Sequence, residues 1–202
     1  MVPELVEGPR EVSMKKNLIK IFATAFVLVA FFGCSGNTSG GSDNDYSNVT
    51  ANVDDKVKKV FELTNDFRTG SEAFYWNKDN TTKTSLVGKL NKLTLDEDLC
   101  KAAQIRADEI VNKFSHTRPN GSDCFTVLDD LSITCSAKGE NIAAGSSTGE
   151  GTFNQWKEDN KNYDGQGHRR NMLDERFTKI GIAYTYDANS EYKYYWCMIL
   201  AK

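Results

Sequence analysis

HTRPNG, at residues 116–121, opens the part of the chain around which the rest is organised, and GENIA (139–143) and GHRRNML (167–173) complete it. The chain has only two histidines, His116 and His168, and they lie in the first and third segments; the second segment contributes a glutamate. Two imidazoles and a carboxylate are the ingredients of a divalent-metal or acid–base site when a fold brings them together. The three segments lie too far apart in sequence to share one element, so separate turns must converge.

Apolar periodicity predicts helices before and between these segments and strands after them. We predict helices at 54–68, from a capping box at 94–97 to about Lys113, and from Ser147 to about Lys161, with a short helix between Cys124 and Cys135. The buried stripe of the second helix comprises Leu99, Ala102, Ala103, Arg106, Ala107, Ile110 and Val111. Residues 69–92 form a long connection, and strands follow at 180–186 and 192–200. The last strand is apolar on both faces, which predicts a sheet covered on both sides.

The first fifty or so residues predict export. Residues 14–33 have a lysine-rich start and an apolar run too short to span a membrane, as in a signal peptide. The FGC sequence that ends at Cys34 resembles a bacterial lipobox, which implies a lipid anchor at that cysteine; a plain secretory signal is the alternative. Residues 1–13 precede a natural start and are interpreted as an over-called start. Residues 34–53 are too polar to fold and form a flexible tether.

Size and charge limit the possible functions. The remaining residues, 54–202, suit one compact domain, and we expect a monomer. The full chain has a formal net charge of −3 and its basic residues form no run, which argues against a nucleic-acid partner. No phosphate-binding loop or dinucleotide fingerprint is present in the sequence.

The cysteines of an exported chain predict disulfides. With Cys34 lipidated, an even number remains and three pairings are possible. We favour Cys124 with Cys135, which closes a short loop, and Cys100 with Cys197, which ties a helix to the last strand. Free buried thiols are the alternative, and a catalytic cysteine is disfavoured because no cysteine adjoins a histidine.

Several further segments fall in an order that resembles a known family. Besides the three segments above, they are Leu63-Thr64-Asn65 with Arg68, residues 95–107, Trp156 and Ile180-Gly181-Ile182. The chain resembles the CAP superfamily, which comprises the cysteine-rich secretory proteins, antigen 5 and the plant pathogenesis-related proteins and is also called SCP-like. The bacterial branch is the most similar. The resemblance spans nearly all of residues 56–200.

This resemblance implies an α+β fold, a three-layer α-β-α sandwich with a mainly antiparallel central sheet. It also implies a cleft lined by two histidines and two acids. His116 and His168 match the histidines, and Glu140 matches the first acid. The second acid lies one turn beyond the tryptophan in the family, which is Asp159 here, with Glu158 beside it.

Two classes of function follow. The first is a lipid-anchored, envelope-exposed binding module, whose ligand is a glycan, a lipid or a protein and whose histidines hold Zn²⁺ or another divalent cation. The second is a metal-assisted, peptidase-like hydrolase with Glu140 as general base and Asp159 assisting. Sequestration of a sterol or fatty acid is a lesser alternative. The simpler interpretation gives His116 and His168 only hydrogen bonds in polar turns and leaves Asp159 in solvent.

Overall fold

The structure, a computed structural model, describes residues 51–202. Outside the described residues lie the segment that we interpret as an over-called start (1–13), the predicted signal peptide (14–33) and residues 34–50 of the predicted tether, which include Cys34. The helices are α1 (Asp55–Thr69), α2 (Glu97–Asn112), α3 (Thr126–Asp130), α4 (Gly149–Lys157) and α5 (Gly167–Met172), with a 3-10 turn at Asp164–Gln166. The strands are β1 (Phe74–Trp76), β2 (Lys83–Ser85), β3 (Thr94–Leu95), β4 (Lys138–Ala144), β5 (Lys179–Tyr186) and β6 (Tyr194–Ala201).

The three long helices each begin at a polar N-cap side chain. Asp54 accepts hydrogen bonds from the first backbone amides of α1, Asp96 accepts one from Leu99 in α2, and Thr148 accepts one from the start of α4. These caps satisfy amides that have no partner inside the helix. The capping box predicted at residues 94–97 is therefore replaced by a single Asp96 cap, because Thr94 belongs to β3.

The main sheet has four strands in the order β3-β5-β6-β4. The short β3 pairs parallel to β5, whereas β5 with β6 and β4 with β6 are antiparallel. The predicted mainly antiparallel sheet is confirmed. Strand β6 is central, with seven consecutive buried residues after Tyr194.

Two apolar clusters pack on opposite faces of β6, because successive side chains of a strand point to opposite sides. One cluster joins Trp196, Met198 and Leu200 to α1 and α4, and includes the buried Trp156. The other joins Cys197 and Ile199 to α2 and α3. The chain therefore forms the predicted α-β-α sandwich.

The position of α2 depends on a glycine in β5. A Cβ atom at Gly181 would lie 2.1 Å from the carbonyl carbon of Leu99, so only glycine permits this approach of strand and helix. The close contact fixes the face of α2 that carries Arg106 against the sheet. Gly181 is thereby a structural requirement for the site described below.

A two-stranded hairpin, β1 with β2, lies within the connection that we predicted at residues 69–92. Arg169 of α5 donates hydrogen bonds to the carbonyl oxygens of Phe74 and Glu72, and the Gln166 side chain accepts one from the amide of Trp76. The hairpin is thus tied to the segment that carries His168. Among residues 51–202, no helix combines the length and the apolar character that crossing a bilayer requires.

The predicted disulfides Cys124–Cys135 and Cys100–Cys197 are wrong for this structure, in which the four cysteines within residues 51–202 are free. The segment from Cys124 to Cys135 is closed instead by helix α3 and by a hydrogen bond from the amide of Ile133 to the carbonyl of Leu128, 2.8 Å long. The thiol of Cys197 lies 3.7 Å from a carboxylate oxygen of Glu140.

Candidate functional site

The first histidine is bound to the first acid. His116 follows α2, and Glu140 lies on β4, where its side chain is 1% exposed. The Nδ1 atom of His116 lies 2.7 Å from Oε1 of Glu140. The histidine side chain itself is 23% exposed, so the pair places a buried carboxylate behind a partly accessible imidazole.

A buried arginine holds this pair in place. Arg106 of α2 donates from Nε to Oε2 of Glu140 at 2.8 Å and from Nη2 to the carbonyl oxygen of Ser115 at 2.8 Å. It therefore fixes both the carboxylate and the residue before His116. Arg106 lies in the buried stripe predicted for this helix, but the helical pattern does not indicate this role, since the partner of Arg106 lies 34 residues away.

The chain of ion pairs continues away from the histidine. Arg106 also pairs with Glu109, whose carboxylate accepts from Arg118 at 2.7 Å, and Arg118 pairs with Asp130 of α3 at 2.7 Å. The side chains of both arginines are at most 1% exposed. Buried charges of this kind are stable only when they are paired. This series of ion pairs therefore fixes the HTRPNG segment between α2 and α3.

The pKa of Glu140 is lowered despite its burial. Burial by itself raises the pKa, but the hydrogen bonds from His116 and Arg106 and the positive charge of Arg106 outweigh it. The same interaction with Glu140 raises the pKa of Arg106 against the opposing effect of its own burial. Glu140 is therefore an ionised carboxylate whose oxygens are both already engaged.

The second histidine also contacts a carboxylate, that of Glu158. The Nδ1 atom of His168 lies 2.6 Å from Oε1 of Glu158, and the amide of His168 donates to Oε2 at 2.9 Å. Glu158 follows the last residue of α4 in a left-handed conformation, with φ 47° and ψ 71°. The imidazole is 20% exposed.

The structure places Glu158, rather than the predicted Asp159, against His168. Asp159 is 67% exposed and pairs with Arg169 at 3.1 Å and with Lys157 at 3.5 Å. The reason is the end of α4. We predicted a helix to about Lys161, whereas α4 ends at Lys157 and the left-handed Glu158 redirects the chain.

Two asparagines connect the two histidine–glutamate pairs. The side-chain amide of Asn141 donates to the carbonyl oxygen of His168 at 3.1 Å. That of Asn171 donates to the carbonyl oxygen of Glu140 at 3.2 Å and to the side chain of Asn141 at 2.9 Å. Helix α5, which carries His168, is thereby fixed to the strand that carries Glu140. The predicted meeting of the three segments is what the structure shows.

The thiol of Cys124, which was predicted to form a disulfide, also lies in this region. His116, Cys124 and Glu140 each offer a ligand atom for a cation, and these three atoms lie within 4.8 Å of one another. Burial, followed by the charge of Glu140, raises the pKa of both Cys124 and Cys197. The sequence offers one indication that Cys124 lies near His116, because Cys124 follows the HTRPNG segment by three residues.

The geometry suits each imidazole to bind a cation through Nε2. In metal sites a ligating histidine commonly donates its other ring N–H to a carboxylate, which fixes the tautomer and makes the free nitrogen more basic. Glu140 and Glu158 accept at Nδ1 of His116 and His168 in this way. Two histidine ligands leave coordination positions open for water or another ligand.

Comparison with known proteins places the chain in a family. The profile of the Cysteine-rich secretory protein family, CAP, matches residues 61–200. Over 97 residues, 47% of this chain and 35% of the relative, the sequence is 33% identical to "Uncharacterized protein YkwD" of Bacillus subtilis (strain 168).

Solved structures agree with this assignment. An extracellular protein containing a SCP domain from Bacillus anthracis str. Ames is 27% identical, with a TM-score of 0.52 over 72% of this chain and 40% of that one. NaASP2, solved with Zn²⁺, has the same fold, with a TM-score of 0.52 and 17% identity over 76% of this chain and 81% of that one. The chain spans less than half the length of YkwD and of the Bacillus anthracis protein. Because the family profile covers most of the sequence, the chain belongs to the CAP family of cysteine-rich secretory proteins.

Proposed function

We propose that the protein is an exported, lipid-anchored binding module of the cell envelope that holds a divalent cation between His116 and His168. The observation that carries the proposal is the matched pair of Nδ1–carboxylate contacts, 2.7 Å at His116 and 2.6 Å at His168. Both contacts leave Nε2 of a partly exposed ring as the available ligand atom. The open coordination positions would take an oxygen of the envelope ligand, which is a glycan, a lipid or a protein.

Zinc is the first cation to test. Neutral imidazole nitrogens suit Zn²⁺, and the NaASP2 structure, which shares the fold, was solved with that ion. Two protein nitrogens alone bind a divalent cation weakly, so the carboxylates behind the rings matter for affinity.

Binding is better supported than hydrolysis. A general base must accept a proton from water, but the Oε1 atom of Glu140 already contacts His116 and its Oε2 atom accepts from Arg106. The lowered pKa of Glu140 further weakens it as a base. A hydrolase in which Glu140 activates water would therefore have to break this arrangement first.

Export and anchoring rest on the sequence of residues 14–34. The signal-like segment and its cysteine support a lipid at Cys34, and the Bacillus anthracis relative is described as extracellular. Expression with a labelled fatty acid tests the anchor. We expect the label in the wild-type chain and none in Cys34→Ser; equal labelling of the two would contradict it.

Calorimetric titration with zinc tests the cation site. We use the chain from Ser35 onward, which contains every described residue, together with a His116→Ala, His168→Ala double variant. The matched control is Asp159→Asn, which changes an exposed carboxylate on the same loop as Glu158. We expect micromolar binding that persists in the control and is lost in the double variant. Absence of binding in the wild-type chain would contradict the proposal.

A further inference from the structure

We infer that Cys124, His116 and Glu140, completed by Cys197, form a second and buried site for a thiophilic cation behind the exposed histidine. Ligand atoms of the first three residues lie within 4.8 Å of one another. The sulfur of Cys197 lies 3.7 Å from Oε2 of Glu140 and so joins the same cluster. The buried site shares His116 and Glu140 with the proposed His116–His168 site, but it needs Cys124 and Cys197 in place of His168 and Glu158, so sulfur ligation distinguishes the two sites.

The ligand chemistry selects the class of cation. Two sulfurs, one imidazole nitrogen and one carboxylate oxygen make a set of four that Zn²⁺ binds in tetrahedral geometry. Sulfur ligands disfavour the hard cations Mg²⁺ and Ca²⁺, which prefer oxygen. In a tetrahedral site with bonds of 2.0 to 2.3 Å, ligand atoms are separated by roughly 3.5 Å. The ligand atoms of His116, Cys124 and Glu140 lie within 4.8 Å of one another, so shifts of about 1 Å would enclose the ion, and the 2.7 Å contact between His116 and Glu140 would open as both become ligands.

The charges of the cluster also favour a dication. Arg106 and Glu140 already neutralise each other, at 2.8 Å, in a fully buried position. When the cation binds, each thiol releases its proton to solvent and becomes a thiolate ligand. The two thiolates then balance the two positive charges of the ion, so that the net charge of the buried cluster remains zero. Burial of a charged ion is costly unless it is compensated in this way.

The location of the ligands suits a closed structural site. Cys124 and Cys197 are both 0% exposed. They come from the segment before α3 and from β6, while Glu140 lies on β4, so a bound cation would join three parts of the fold. Sites with four protein ligands and no open position contribute directly to folding stability.

Cobalt spectroscopy tests the inference. Co²⁺ substitutes for Zn²⁺ and gives a near-ultraviolet thiolate-to-metal absorption band only when sulfur is a ligand. We expect this band in the reduced chain from Ser35 onward and in His168→Ala, which retains the buried ligands. Cys124→Ser should reduce the band, which arises from two thiolates in the wild-type chain, and weaken cobalt binding by at least about tenfold; Cys124→Ser combined with Cys197→Ser should abolish the band. The matched control is Cys135→Ser, since Cys135 is a partly exposed thiol outside the cluster.

The outcomes separate this site from the His116–His168 site. Cobalt binding without a thiolate band in the wild-type chain overturns the buried site and leaves the proposed function standing. A band of undiminished intensity in Cys124→Ser, or any band in the Cys124→Ser, Cys197→Ser double variant, also overturns it. If Cys124→Ser fails to fold, as judged by circular dichroism, cadmium NMR of the wild-type chain decides: a resonance in the range of thiolate-bound cadmium supports the site, and one in the range of nitrogen and oxygen ligands overturns it.

Discussion

At the scale of single residues, Glu140 is the centre of the site because its side chain is both buried and ionised. Its carboxylate accepts from His116 and from Arg106, and both contacts would weaken if the side chain became neutral. The sequence predicted the importance of Glu140 and His116, since both lie in short glycine-containing segments, although Glu140 lies on β4 and not in the predicted turn. It could not predict that Arg106 is their partner, because a buried arginine on an apolar helix face shows no sign of which distant carboxylate it meets.

The lowered pKa of Glu140 predicts a pH-dependent stability effect. A carboxylate whose folded pKa lies below its unfolded value stabilises the fold fully above the unfolded pKa, 4.5 for glutamate, and this contribution disappears as the pH falls through the folded pKa. Glu140→Gln should therefore lower the free energy of unfolding by about 3 kcal/mol near pH 7, because Arg106 is left as an unpaired buried charge. The difference in stability between wild type and variant should shrink as the pH falls below the unfolded pKa and then through the folded pKa of Glu140.

Urea unfolding across this pH range measures the effect, with Glu150→Gln as the control at an exposed glutamate in the first turn of α4. The control should change stability by less than about 0.5 kcal/mol. A Glu140→Gln effect that is the same at acid and neutral pH would contradict the ionised, paired carboxylate.

At the scale of elements, the position at which α4 ends determines which carboxylate contacts His168. The resemblance to the CAP family implied Asp159, one turn beyond Trp156, on a helix that we predicted to continue to about Lys161. The helix instead ends at Lys157, and Glu158 adopts φ 47°, a left-handed conformation that is uncommon for residues other than glycine and asparagine. Nothing in the local sequence marks a glutamate for this conformation; its contacts with the side chain and amide of His168 hold it there.

Replacing Glu158 and Asp159 one at a time shows which of the two carboxylates supports His168. Glu158→Ala removes the acceptor at Nδ1 of His168, so zinc affinity at the proposed His116–His168 site should fall by about 10- to 100-fold. Asp159→Ala removes only exposed ion pairs and should leave the affinity unchanged. Calorimetry on both variants provides the measurement, and the reverse order of effects would favour the original prediction of Asp159.

The contact between α2 and β5 gives a second prediction at this scale. A side-chain carbon at Gly181 would come within 2.1 Å of the backbone of Leu99, so Gly181→Ala must push the helix off the sheet. We expect a loss of more than about 3 kcal/mol in denaturant unfolding. Gly88→Ala is the comparison, because Gly88 has a φ of +73° with open space around it and should cost only about 1 kcal/mol.

At the scale of the whole molecule, β6 unites the two halves of the core. The three-layer fold was predictable because this strand is apolar on both faces, which only a sheet covered on both sides explains. The β1–β2 hairpin was not predictable. Its strands have three residues each, and it is held by Arg169, which lies more than ninety residues later in the chain.

A shared central strand predicts that the two layers unfold together. Ile199→Ala removes a side chain from the α2 layer and Leu200→Ala removes one from the α1 layer. Each should lower stability by about 2–5 kcal/mol, and each should shift one cooperative transition seen both by circular dichroism and by tryptophan fluorescence. Two separate transitions in either variant would show that the layers fold independently.

The most direct test of the central claim, a cation held between His116 and His168, is anomalous X-ray scattering at the zinc edge from crystals grown with zinc. We predict a peak at about 2.0–2.1 Å from Nε2 of both histidines, with Nδ1 of each still bound to its glutamate. A peak confined to Cys124 and Glu140, or no peak at either histidine, would contradict a cation between the two imidazoles.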